Sequence, residues 1–68
     1  MDSHDAWKAG YSAGEAFNNA VLTFDQIESM AKGFRWEQPG FFGTTVVDFT
    51  AKFWQGFSQR VEMQKAKK

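Results

Sequence analysis

Apolar residues recur at steps of three or four from the start of the chain. Trp7, Tyr11, Phe17 and Val21 mark one side of a segment that also carries Gly10 and Gly14. That spacing predicts a helix. Asp2 or Ser3 suits its N-cap, Asp5 places a carboxylate in its first turn, and the pattern continues to about Leu22. The next stretch, "TFDQ", has the form of a capping box with Thr23 as cap and Gln26 three residues on, so a short second helix is expected to Lys32. Phe24, Ile27, Met30 and Ala31 form its apolar stripe, and Gly33 is placed to end it in the left-handed conformation. A third helix is expected from Thr44 or Thr45 towards the C-terminus. Val46, Phe49, Phe53, Phe57 and Val61 recur there at helical steps, and Val47 and Trp54 widen the face. The β-branched run "TTVV" could open a strand instead, but no other segment offers it a convincing partner.

Between the second and third helices lies "FRWEQPGFFG", which holds the only proline and a Pro-Gly turn signal and therefore reads as a loop. Loops run over the surface and are usually polar, yet this one contains Phe34, Trp36, Phe41 and Phe42. Either those rings fold back as a lid on the core, or part of the set forms an exposed hydrophobic site. The expected architecture is all-α: a compact three-helix single domain with two longer helices packed closely, a short middle helix and an aromatic-rich loop.

Each glycine inside a helix costs about 1 kcal/mol relative to alanine, so Gly10 and Gly14 require a reason. They lie one turn apart with Ala6 and Ala13 beside them, a shallow ridge that lets another backbone come close. Gly56, between Trp54 and Phe57 in the third helix, offers a matching groove. Gly10, Gly14 and Gly56 are therefore candidates for close helix packing, and the ridge is received either by the third helix or by a helix of a partner.

Composition sharpens the picture. The 68 residues suffice for one small domain. Twelve aromatics stand against only six Val, Leu and Ile. At roughly 200 Å² each those rings carry about 2,400 Å² of surface, more than so small a monomer is expected to enclose; either the surplus serves a partner, or a small core simply favours bulky side chains to gain burial per residue. There is no cysteine, which removes disulfides and thiolate metal sites and suggests a reducing compartment. The first residues show neither a basic n-region nor an apolar h-region, and no segment has the apolar length of a membrane span. A cytoplasmic location without membrane contact is expected.

Net charge is zero but uneven: five acids against Lys8 in the first thirty residues leave −4, and the remainder carries +4. Arg60, Lys65, Lys67 and Lys68 gather the excess near the end, where they suit either RNA or an acidic partner, or simply the negative end of a helix. Catalytic chemistry finds little material. His4 is the only histidine and sits beside the terminus, the acidic pairs Asp2 with Asp5 and Asp25 with Glu28 fall in first turns where helix dipoles favour them, and no phosphate loop is present. No catalytic, cofactor or metal residue is assigned, and the chain is expected not to be an enzyme.

The elements Gly10, Tyr11, Ala13 and Gly14, then Pro39, then Trp54, Gly56 and Phe57 together resemble the ribosome modulation factor family and its small relatives in phages and mobile elements. That resemblance implies a non-enzymatic helical protein that binds the ribosome and lowers translation. From the residues themselves, the expected function is non-catalytic binding to a larger protein or ribonucleoprotein complex, which the chain occludes or adapts; by size and style alone, and not from its residues, the chain is of the kind found among phage accessory proteins that block a host complex. Trp7, Trp36, Phe41 and Phe42 would fill an apolar pocket, with Arg35 on a polar rim. Two rivals stand beside it: RNA binding with Trp36 and Phe41 stacked on bases, and a structural homodimer.

Overall fold

The computed structural model describes residues 2–66. It contains helix α1 (Ser3–Asn18), helix α2 (Phe24–Lys32), strands β1 (Arg35–Gly40) and β2 (Gly43–Asp48), and helix α3 (Thr50–Ala66). The fold is therefore mixed α and β, and the all-α expectation is overturned. Both the supposed loop and the supposed start of the third helix are strands of one antiparallel hairpin. The cause lies in pairing. "TTVV" is β-branched and finds its partner in "WEQP", which alone carries no strand signature. A ladder that runs from Arg35 opposite Asp48 to Gly40 opposite Gly43 outweighs the helical spacing of Val46 and Phe49. Pro39 is tolerated because it occupies an outer position of an edge strand.

The compact outline is corrected as well. The molecule measures 52 × 19 × 13 Å with a radius of gyration of 13.8 Å, against about 11 Å for a globule of this length. A 17-residue helix of about 25 Å followed by a six-residue hairpin of about 20 Å accounts for most of that long axis.

α1 and α3 form the body. Their contacts advance together along both chains, from Trp7 against Gly56 to Gly14 against Arg60 and Tyr11 against Met63, so the helices run in the same direction. The contact is reciprocal. Gly10 of α1 receives the Phe53 carbonyl of α3, and Gly56 of α3 receives the Trp7 carbonyl of α1. The sequences that do this match in form: an aromatic residue, two others, then glycine, in "WKAG" and "FWQG". α1 accordingly buries its small residues, Ala6, Gly10, Ala13 and Gly14, and leaves Trp7 and Tyr11 half-exposed and Phe17 exposed. The ridge of small side chains, not the ring-bearing face, meets the core.

α2 lies across this pair and contributes Ile27 and Ala31 to a core completed by Ala13, Phe53 and Phe57. Phe24 and Met30 of its expected stripe stay largely exposed at the rim. Phe24 nevertheless stacks on Trp54 at 5.6 Å and meets Phe17 and Phe57 edge-on. The capping box of Thr23 with Gln26 is formed, and Asp2 with Asp5 makes a second one at α1.

Two boundaries depart from expectation. Gly33 has φ −67 and does not take the left-handed form. α1 ends at Asn18, four residues before Leu22, in a cap whose left-handed position is held by Ala20 with φ 59. Val21 N–H donates to the Ala16 carbonyl at 2.8 Å and Ala20 N–H to the Phe17 carbonyl at 3.1 Å, the two bonds of a Schellman cap. Glycine usually fills that position, and its absence hides the helix end in the sequence. Since a left-handed alanine carries about 1–2 kcal/mol of strain, Ala20→Gly is expected to stabilise the fold by about 0.5–1 kcal/mol after its unfolded-state entropy is counted. Urea titration should show a raised midpoint with unchanged slope; a lowered midpoint would contradict the cap.

Candidate functional site

The hairpin is anchored only at its base. Phe49 N–H donates to the Phe34 carbonyl at 2.8 Å, extending the ladder one rung below Asp48. The Phe34 ring packs on Phe53 of the core at 5.3 Å, and Trp36 meets Phe49 edge-on at 5.7 Å. Asp48 ties the hairpin to α3 by accepting from the Thr50 N–H at 3.0 Å and the Thr50 hydroxyl at 2.6 Å, while Arg35 Nε lies 3.5 Å away. Beyond Trp36 and Val47, which are half-buried, every strand residue is exposed.

At the far end Phe41 and Phe42 form the two-residue connection, 97% and 98% exposed, their rings edge-on at 5.1 Å. Two-residue hairpin turns favour residues that accept positive φ, such as Asn-Gly. Among the described residues Ala20 is the one non-glycine at positive φ, so the two phenylalanines turn the chain at negative φ and Gly43, at φ 126, absorbs the departure. Neither turn geometry nor burial accounts for phenylalanine at these positions.

The other residues singled out from sequence do not gather here. Arg35 and Trp36 lie at the hairpin base, about 17 Å along the strand from the tip. Trp7 sits on the helical body between His4 and Tyr11, with ring centroids at 6.5 and 5.3 Å. It lines a shallow cleft of about 400 Å³ together with Ser3, His4, Lys52 and Gln55. Arg60 lays its guanidinium over the Tyr11 ring at 5.6 Å and packs its stem against Gly14, which makes it part of the helix crossing. Lys65 lies in the last turn of α3, and Lys67 and Lys68 lie outside the described residues. Sequence reasoning missed Gly43, Thr44 and Val46 as exposed strand residues; the β-branched run after "PGFFG" was the available signal.

Among the described residues no group of three or more His, Asp or Glu is placed to hold a metal ion, and no helix is long and apolar enough to cross a membrane. The shifted carboxylates are structural. Asp48 is held below the ordinary range first by the Thr50 hydroxyl and N–H, with Arg35 adding a smaller effect. Asp2 is lowered chiefly by the Asp5 N–H it caps. A carboxylate with a depressed folded pKa contributes stability above its unfolded value of about 3.9 and loses that contribution as pH falls through the folded one. Thermal stability governed by these groups is therefore expected to be level near neutrality and to decline below about pH 4. Asp48→Asn should make that acid decline shallower; an identical acid profile would show that the cap carries no weight.

No family model, no curated protein and no solved structure matches this chain.

Proposed function

We propose that this protein is a non-enzymatic interaction module of the cytoplasm that binds a larger protein or ribonucleoprotein complex and occludes or adapts it. The observation that carries this reading is the pair Phe41 and Phe42, almost wholly exposed at the end of a hairpin held away from the body. Exposing two rings gives no folding benefit. Their transfer into an apolar pocket is worth about 2–3 kcal/mol for each fully buried ring, the scale at which a few anchors dominate an interface. Glycines on both sides leave the rings free of neighbouring side chains, and no charge lies between Gln38 and Val47 to be desolvated on docking.

Phe41→Ala with Phe42→Ala tests the reading, because both side chains lie outside every internal contact except their own and the variant should melt within about 0.5 kcal/mol of wild type. Tagged wild type is expected to retain from host lysate, after ribonuclease treatment, a complex that the double variant releases. Retention unchanged by the double variant would remove the tip from the function. A ribosomal complex lost on ribonuclease treatment would instead support the translation-modulator alternative. Trp36→Ala is unsuitable as a probe, since it also weakens the packing on Phe49 that holds the hairpin base.

A further inference from the structure

Antiparallel ladders alternate between residues whose N–H and C=O groups face the partner strand and residues whose groups face away. The Phe49 to Phe34 hydrogen bond sets the phase here. The pairs Trp36–Val47, Gln38–Thr45 and Gly40–Gly43 bond inward, so the backbone groups of Thr44, Val46 and Asp48 point out from β2, and those of Arg35, Glu37 and Pro39 point out from β1. The two edges differ sharply. β1 is guarded by two charged side chains and by a proline with no N–H to offer, the devices that keep strand edges from pairing. β2 presents "GTTVV", uncharged, β-branched and without proline, with Val46 49% exposed, and carries a charge only at its base, at Asp48.

We propose that a second copy of this chain pairs along this edge, β2 against β2 in antiparallel sense about a two-fold axis at Val46, to form a four-stranded sheet. Self-complementarity identifies the occupant. With Val46 opposite its own copy, Thr45 faces Val47 and Thr44 faces Asp48, so β-branched residues meet each other, a hydroxyl meets a carboxylate, and no like charges are opposed. The register satisfies about six outward backbone hydrogen bonds. It also supplies what the outer part of the hairpin lacks, because a two-stranded ribbon in water is marginal without further strands or a helix against it, and here the helical body supports the base alone. Phe41 and Phe42 lie beyond the paired segment 44–48, so this dimer goes beyond the reading of the tip and can stand or fall without it.

Sedimentation equilibrium of the full chain from micromolar to millimolar concentration is the first test, with a concentration-dependent rise from 7.8 kDa to twice that mass expected. Val46→Pro removes an N–H that β1 does not use and is expected to abolish the dimer, whereas Phe41→Ala with Phe42→Ala should leave it intact. Amide exchange of the wild type is read in parallel, so that a misfolded proline variant does not decide the matter. The N–H groups of Thr44, Val46 and Asp48 should be protected when concentrated and lose that protection on dilution, while Thr45 and Val47 stay protected throughout. A chain that remains at 7.8 kDa at millimolar concentration, a dimer abolished by the tip variant, or outward amides indifferent to dilution would each overturn the proposal.

Discussion

Alanine at Gly10 or at Gly56 is expected to unfold the protein or to remove most of its stability. By intrinsic helix propensity either change should help by about 1 kcal/mol. Tertiary structure reverses the sign. A Cβ on Gly10 would overlap the Phe53 carbonyl oxygen and lie 2.7 Å from its carbon; one on Gly56 would overlap the Trp7 carbonyl oxygen and lie 3.0 Å from the Tyr11 nitrogen. These obstacles are helix backbone, which has no rotamer to change, so the helices must separate and the core around Phe53 and Phe57 must open. Overpacking a rigid contact in this way costs about 3 kcal/mol or more, against a total of about 3–10 kcal/mol for a chain of this length. Gly14→Ala should be milder, because its nearest obstacles, the Arg60 Cβ at 2.8 Å and the Phe57 carbonyl oxygen at 2.9 Å, stand farther off than the carbonyl oxygens that face Gly10 and Gly56. Urea unfolding followed by circular dichroism would rank the three. A Gly56→Ala variant with a wild-type midpoint would mean that the helices do not approach as closely as described.

Phenylalanine at two positions should respond very unequally to the same substitution. Phe53 is fully buried, packed against Phe34 and Trp54 and beneath the Gly10 backbone. Phe53→Ala is expected to cost about 3–5 kcal/mol through lost transfer energy and the cavity left behind, enough to leave a large unfolded fraction at 25 °C. Phe41→Ala removes the same atoms from a site 97% exposed and should leave the midpoint unchanged. The contrast discriminates well because chemistry is held constant and only burial differs. Equal losses at the two positions would show that the tip packs on something within the chain and is not free to serve a partner.

The sequence by itself carried the local information. The Thr23–Gln26 capping box, the N-cap and first-turn acid at Asp2 and Asp5, the helical character of residues 3–18, 24–32 and most of 50–66, and the ridge of Gly10 and Gly14 all depend on residues within a turn or two of each other. Phe41 and Phe42 were legible as rings in a turn segment, though not as the far end of a projecting element. What only the tertiary structure decided were matters of partnership. "RWEQPG" has no strand signature alone and becomes a strand because "TTVV" lies opposite it, while Val46 and Phe49 match a helical period that their cross-strand partners override. The ridge could have faced a partner, but the reciprocal approach of Trp7 to Gly56 and Phe53 to Gly10 places it against α3. The physical reason is the same throughout: capping and helical period act over a few residues along the chain, whereas strand pairing and the burial of one surface by another are set between segments far apart in it.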